Sequence, residues 1–436
     1  MILGSVLNPI NSSMLAVALI PIGRAFDAPP SQTAWLVAGL YLATAVGQPV
    51  VGRLVDAFGP RRPYLAGTAL VGLAGLLGAL APHLWVLVVS RVLLGLGTSA
   101  AYPASMSLLR SESDRTGRQN PSAILATLSI CNQTISVAGP ALGGLLIGAG
   151  GWHWIFAINV PLSLACLVLG ALRLPPAVRS AGLTTRTTRT DVVGMLLFAA
   201  SLTAFVLILL HPAAARWYLP GLGLVIGAAF VRRELLTEGP FLELRVLRGN
   251  TPLLATYARQ LLTYTASYSY LYGLSQWFQD GRGLSAPQAG LLVLPMSVTA
   301  IGVTALAGRS GRVRGKLVVG AIAQCVGCGS LLLLRDNSPL WLLVSVGVLL
   351  GLPQGLVGLA NQTALYAQAE PARIGASAGL LRTFMYLGAL LASAASALSF
   401  DDGATSAGLH TMAWPLLGVA GVFLLVCVGD RSLPKL

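Results

Sequence analysis

The feature that most constrains this chain is the alternation of apolar runs, each roughly 20 residues long, with short charged turns. Coiled as an α-helix, such a run rises about 30 Å, the thickness of the hydrocarbon core of a bilayer. On that rule the sequence predicts spans near 3–25, 31–52, 63–82, 84–108, 121–149, 152–172, 191–210, 216–233, 251–277, 286–306, 317–334, 339–360, 374–399 and 410–429. Charged residues make up only 10% of the chain and hydrophobic ones 55%. So few charges cannot coat two or three soluble domains. The expected fold class is all-α integral membrane, fourteen transmembrane helices with lipid as their outer solvent. The first run, Met1 to about Phe26, is longer than the apolar part of a signal peptide and lacks a small-residue cleavage site. It is expected to stay as the first span.

Basic residues set the orientation. Alternate loops carry Arg53, Arg61 and Arg62, then Arg110, Arg115 and Arg118, then Arg173, Arg179, Arg186 and Arg189. The pattern continues through Arg232, Arg233, Arg245 and Arg248 to Arg309, Arg312, Arg314 and Lys316. The opposite span ends hold only Arg24, Arg216, Arg282 and Arg335. The positive-inside bias therefore places both termini in the cytoplasm. In this register all tryptophans fall near outer span ends, as an interfacial belt would.

The net charge of +14 is scattered between apolar runs, so nucleic acid is not an expected partner. The five cysteines lie within apolar runs and read as small buried hydrophobes. Cys325-x-x-Cys328 lacks a second ligand pair, and neither metal nor cofactor is expected. No nucleotide loop or catalytic triad stands out, which argues against an enzyme. The preference for Arg over Lys suggests a GC-rich, bacterial genome and hence a bacterial cell membrane.

Between the second and third spans lies Gly52 to Arg62, GRLVDAFGPRR. Gly52 and Gly59 suit a tight turn, and Asp56 can pair with Arg61, Arg62 or a neighbouring helix N-terminus. Gly308 to Lys316 echoes this loop between spans 10 and 11 without its acid. On that repeat, 1–172 and 251–436 each form a six-helix bundle. The linker 173–250 carries two inserted spans, 191–210 and 216–233. Repeated halves with a site at their interface are the usual build of secondary transporters.

Further motifs follow. They are Trp35, Tyr41 and Pro49 ahead of the loop; Ser90-Arg91-Val92-x-x-Gly95-x-Gly97; and Gly139-Pro140-x-x-Gly143-Gly144. Trp152-His153-Trp154-Ile155-Phe156 with Asn159 and Pro161 comes next, then Asp191-x-x-Gly194, Pro240-x-x-Glu243-x-Arg245 and Gln279 to Gly290. Together these resemble the major facilitator superfamily, and within it the fourteen-span drug:proton antiporter branch, with His153 where Arg is commoner. The resemblance implies the major facilitator fold and export of small amphipathic or hydrophobic compounds by alternating access, with protons as the coupling ion. It implies a cytoplasmic latch at Gly52, Asp56, Gly59, Arg61 and Arg62. It also implies an exporter-type bend at Gly139, Pro140, Gly143 and Gly144, and a place for Arg91 near coupling.

One position departs from that pattern. Where the branch has an Asp in the first span, this chain has Asn11. Every Asp and Glu maps to a loop or a span end, and neither Asn nor Arg can bind and release a proton in the working range. Candidate cargo contacts are the polar residues at span centres: Asn11, Ser12, Gln48, Gln133, Arg259, Tyr264, Tyr268, Gln354 and Asn361. In span 9, Tyr257, Tyr264, Tyr268 and Tyr272 share one helical stripe, with Arg259, Thr263 and Tyr270 roughly opposite. One stripe is expected to face the cavity and the other a neighbouring helix. Three readings stay open: a proton-coupled exporter, a proton-independent or anion-linked exporter or uniporter, and a non-transporting sensor or assembly partner.

Overall fold

A computed structural model describes residues 4, 6–101, 103–105, 135, 138–174, 191–210, 218–242, 244–247, 250–307, 313–369, 374–401 and 403–430. Among these the regular structure is helical, with no strand. The helices are α1 (Leu7–Leu15), α2 (Leu19–Ala25), α3 (Pro30–Phe58), α4 (Arg61–Ala79) and α5 (Leu84–Thr98). Then come α6 (Ala138–Gly150), α7 (His153–Ala157), α8 (Asn159–Arg173), α9 (Val192–Leu210) and α10 (Tyr218–Leu236). The last six are α11 (Thr251–Asp280), α12 (Ala286–Ala307), α13 (Val313–Leu331), α14 (Leu340–Gln368), α15 (Ile374–Ser399) and α16 (Ser406–Gly429). Seven described helical segments are long and apolar enough to cross a membrane. Ala138–Gly150 and Val192–Ile208 are apolar but shorter.

Local chemistry sets several boundaries. Asn250 accepts a hydrogen bond from the Leu253 N–H and caps α11, with Pro252 in the first turn, where a missing donor costs nothing. Thr405 caps α16 in the same way through Gly408. Asp191 accepts from the Gly194 N–H at 2.9 Å and so opens α9. It also holds Arg233, near the end of α10, at 2.7 Å, which ties the two helices into a hairpin.

The loop at 52–62 is shorter than hydropathy suggests. Helix α3 runs through Gly52 to Phe58, and the turn falls on Gly59 and Pro60, with Gly59 at φ 77°. The apolar run marks where lipid stops, not where backbone hydrogen bonding stops. A Cβ added at Gly52 would meet nothing within 4 Å, so that glycine permits neither a turn nor a close helix contact here.

Two groups of helices pack mainly within themselves. In the first, α5 lies against α3 and α4, and α4 against α8. In the second, α11 packs on α15, and α14 between α12 and α13, with α16 on α13. The groups meet where α3 lies along α15 and α2 touches α11. Helix α9 pairs with α10 and rests against both α3 and α15, so the hairpin covers that seam. Large apolar side chains such as Leu80, Leu172, Leu224 and Leu425 point outward and stay exposed, the surface expected of a bundle solvated by lipid.

The tryptophan belt is only partly there. Trp85, Trp154 and Trp341 are exposed at helix ends and Trp414 is exposed two turns into α16, but Trp277 is fully buried and donates to Ser406. Trp152 is buried beside Phe26 and stacks on His153. Near a span end, an indole packs inward as readily as it faces lipid when a partner for its N–H or ring is close. Cys166, Cys328 and Cys427 are buried and free.

Candidate functional site

The site begins at a break between α1 and α2. Ser12 and Ser13 turn their hydroxyls back onto the carbonyls of Asn8, Pro9 and Ile10, which competes with the helical ladder. Beyond them the N–H groups of Ala16 and Ala18 tighten to the carbonyls three residues back, and the helix interrupts at Ala16–Ala18. Carbonyls around the break take side chains from other helices. Arg91 Nη1 donates to the Asn11 carbonyl at 3.2 Å, and Gln279 Nε2 to that of Val17 at 3.1 Å. The Tyr272 hydroxyl lies 3.4 Å from the Ser12 carbonyl. Irregular backbone inside a membrane protein is tolerated where protein groups satisfy it, as here.

Facing that break is a seam of tyrosines. Tyr41 comes from α3, Tyr264, Tyr268 and Tyr272 from one stripe of α11, and Tyr386 from α15. Tyr41 meets Tyr268 edge-on at 5.3 Å and Tyr386 at 5.7 Å. Tyr264 and Tyr272 flank Tyr268 at 5.8 and 5.9 Å. The hydroxyls of Tyr41 and Tyr272 lie 3.2 Å apart, and Gln48 donates to the Tyr386 hydroxyl at 2.8 Å. Tyr264 and Tyr268 are half-buried. Rings from three helices of both groups thus share one layer, offering π faces with hydroxyls at the edges.

Arg91 sits behind this layer, 1% exposed. Its Nε donates to the Leu36 carbonyl at 3.0 Å and its Nη1 to Asn11, while Nη2 has no hydrogen-bond partner among the described residues. The Tyr272 and Tyr41 hydroxyls are its electrostatic neighbours. No described carboxylate pairs with it.

Beyond the tyrosines, towards the Asp280 end of α11, the groups are stitched together. Ser393 donates to the Ala34 carbonyl, and Arg24 pairs with Asp280 at 2.6 Å. A small crevice between α2, α3, α11 and α15 is lined by Leu19, Thr33, Val37, Tyr272, Gln276 and Ser396. Helix α6 adds close backbone contacts. A Cβ at Gly143 would stand 2.9 Å from the Met14 carbonyl, and one at Gly144 2.6 Å from that of Ala286. Gly139 faces Ser13, and Gly290 of α12 lies on the Pro140 carbonyl. Glycine is required at Gly143, Gly144 and Gly290 because two backbones meet there.

Other expected contacts fall elsewhere. The side chain of Asn11 is buried and exchanges amide hydrogen bonds with Asn159, and Ser12 offers the seam its carbonyl instead of its hydroxyl. Arg259 is fully buried within the second group. It pairs with Asp430 at 2.5 Å and donates to Thr256 and to Asn361, which in turn donates to Gln260. The α11 stripe bearing Arg259 and Tyr270 therefore faces neighbouring helices, Tyr270 bonding Cys328, while Tyr264, Tyr268 and Tyr272 face the seam and Tyr257, of the same stripe, is buried against α15 and donates to the Ser377 carbonyl. Gln354 lies beside the helix-interior Pro353, its Oε1 without a hydrogen-bond partner among the described residues. Arg61 caps the end of α8 by donating to the Ala171 carbonyl, and Arg62 is exposed. Gln133 and the Asp56 side chain lie outside the described residues.

Sequence reasoning missed Tyr386 altogether and used Tyr41 only as part of a motif. Each is a lone tyrosine in its helix, with no periodic signal to mark the face it presents. It also missed Asp430 as the counter-ion of Arg259, 171 residues apart in the chain.

Two helix groups meeting along a buried polar seam, with a broken helix beside it, define a membrane protein of the secondary-transporter class. The Major Facilitator Superfamily model matches residues 1–393, and the chain belongs to that family. It is 33% identical over 438 residues to the uncharacterized MFS-type transporter YwoD of Bacillus subtilis, covering 99% of this chain and 96% of that one. It is 32% identical over 396 residues to the lincomycin resistance protein of Streptomyces lincolnensis, covering 87% and 79%. The multidrug efflux pump LfrA of Mycolicibacterium smegmatis is 29% identical over 400 residues, covering 88% and 76%. Among solved structures, a proton-dependent oligopeptide transporter superposes with a TM-score of 0.70 at 14% identity, covering 98% and 96%, which speaks to fold alone.

Proposed function

We propose that this protein exports small amphipathic compounds across a bacterial cell membrane by alternating access. In this reading 1–172 and 251–436 are two six-helix bundles, 191–210 and 216–233 are inserted spans, the count is fourteen, and both termini are cytoplasmic. The observation that carries it is the tyrosine seam, because Tyr41, Tyr268, Tyr272 and Tyr386 join helices of both groups around one aromatic layer. Rocking one group against the other would expose that layer to each side in turn. The Arg24–Asp280, Ser393–Ala34 and α6–α12 contacts close its outer side. Export as the direction is supported by the relatives named for efflux and resistance.

Coupling has two readings. Proton antiport is what the family resemblance favours, with Arg91 near the coupling step. Proton-independent or anion-linked export is favoured by a specific observation: Arg91 is a buried cation facing the seam, and no described carboxylate pairs with it. Purified protein in proteoliposomes, loaded with a panel of fluorescent amphipathic dyes and given an imposed pH gradient, tests both. Flux that follows the gradient supports antiport, and flux that ignores it supports the second reading. No flux of any dye would overturn the carrier reading in favour of a sensor or assembly partner.

A further inference from the structure

The electrostatics of the seam specify a cargo. A guanidinium removed from water is costly unless its donors and its charge are met. Arg91 has two donors met by backbone carbonyls, and among the described residues its second terminal nitrogen meets no acceptor and its charge no anion. Beside it stand the Tyr41 and Tyr272 hydroxyls, 3.2 Å apart, and Tyr272 also lines the crevice between the groups.

We infer that the Arg91 guanidinium, with the hydroxyls of Tyr41 and Tyr272, receives the acidic head group of the cargo. The cargo class is then a monoanionic aromatic compound whose ring lies against Tyr264, Tyr268 and Tyr386. The inference rests on reading the tyrosine seam as the cargo site. A carboxylate there completes the Arg91 donor set with charge-assisted hydrogen bonds, and two phenolic hydroxyls supply further donors. A cationic cargo meets the Arg91 guanidinium, with which no described carboxylate pairs. The same chemistry removes the need for a titrating residue. A monovalent anion leaving an inside-negative cell moves down the electrical gradient, which supports about fifty-fold accumulation per 100 mV.

The test compares three probes that share one ring system: 2-naphthoate, 2-naphthamide and 2-naphthylmethylammonium. Each is bound to the purified full chain in nanodiscs and measured by equilibrium dialysis at pH 7. The expected result is naphthoate binding at least about tenfold tighter than the other two, the range of a hydrogen bond to a charged group. Arg91→Gln abolishes that preference, naphthoate binding weakening at least about tenfold more than naphthamide binding. Equal binding of the three probes to the wild-type chain overturns the inference. So does an Arg91→Gln variant that loses naphthamide as strongly as naphthoate, since that marks a purely structural role. Should Arg91→Gln fail to fold, the Tyr41→Phe/Tyr272→Phe double variant takes its place, with naphthoate expected to weaken more than naphthamide. Chloride displacing naphthoate at equal concentration puts an inorganic anion at Arg91 and overturns the assignment to cargo. Binding is read without transport, so absent dye flux leaves a naphthoate preference standing. Dye flux with no binding of any probe overturns this inference alone.

Discussion

Asn11 of α1 and Asn159 of α8 exchange amide hydrogen bonds, each Nδ2 donating to the other's Oδ1, at 2.6 and 2.8 Å. Both side chains are buried, and Asn11 donates as well to the Leu7 carbonyl. The position where the resembled branch has an acid is therefore a neutral clasp between the first and sixth expected spans. An amide suits it because each partner both gives and receives.

Asn11→Asp removes a donor facing two acceptors, the Leu7 carbonyl and the Asn159 Oδ1. The expected loss is about 1–3 kcal/mol at neutral pH, the cost of a buried group left unsatisfied. A neutral carboxyl keeps one O–H donor and a carboxylate keeps none, so the loss shrinks as the pH falls and deepens as it rises. Thermal unfolding in detergent at pH 5 and pH 8 checks this. A melting temperature that drops equally at both would show that the clasp does not depend on the donor.

Arg259→Gln leaves Asp430 buried beside a neutral group and removes the donors to Thr256 and Asn361. A loss of about 3–5 kcal/mol is expected, with part recovered in the Arg259→Gln/Asp430→Asn double variant. The damage should appear as stability. A double-mutant cycle on unfolding, run beside cargo binding, separates this outcome from a direct cargo contact.

Gly143→Ala would push a methyl group against the Met14 backbone at about 3 Å. Neither helix can yield cheaply because the near atoms are main chain, so overpacking of about 1–3 kcal/mol is expected. Gly52→Ala should do the opposite. That glycine lies inside α3 with open space where the Cβ would go, and alanine there gains about 0.5–1 kcal/mol. Paired thermal-shift measurements on the two variants read the contrast directly.

Arg24 and Asp280 form an ion pair whose Arg side chain is 68% exposed. Its contribution to global stability is expected to stay below about 1 kcal/mol because solvent screens it. Its effect should appear in access. With Gln276→Cys as a reporter in a background without native cysteines, Arg24→Ala should increase labelling from outside by an impermeant maleimide. Unchanged labelling would show that the pair takes no part in closing the crevice.

Much of the architecture was legible in the chain. Apolar run length places helices because the bilayer imposes one length on every span, and the family motifs are local strings. Hydropathy misplaced the end of α3 because it senses lipid and not backbone hydrogen bonding, so Gly52 was read as a turn. The candidate site was legible only in part. Tyr264, Tyr268 and Tyr272 announced themselves by helical spacing. Arg259 and Asn361 looked like cargo contacts because a polar residue at a span centre cannot reveal whether a neighbouring helix already holds it. Here Asp430 and Gln260 do.

By itself, then, the sequence determined the helical segments and the family, since both follow from properties that residues carry along the chain. Only the tertiary structure decided which polar groups remain for cargo. Each residue turns about 100° around its helix, so small differences in helix rotation send a side chain to a partner or to the seam. That rotation joined Asn11 to Asn159 and Arg259 to Asp430. It left Arg91, among tyrosines drawn from three helices, with a donor that no described residue meets.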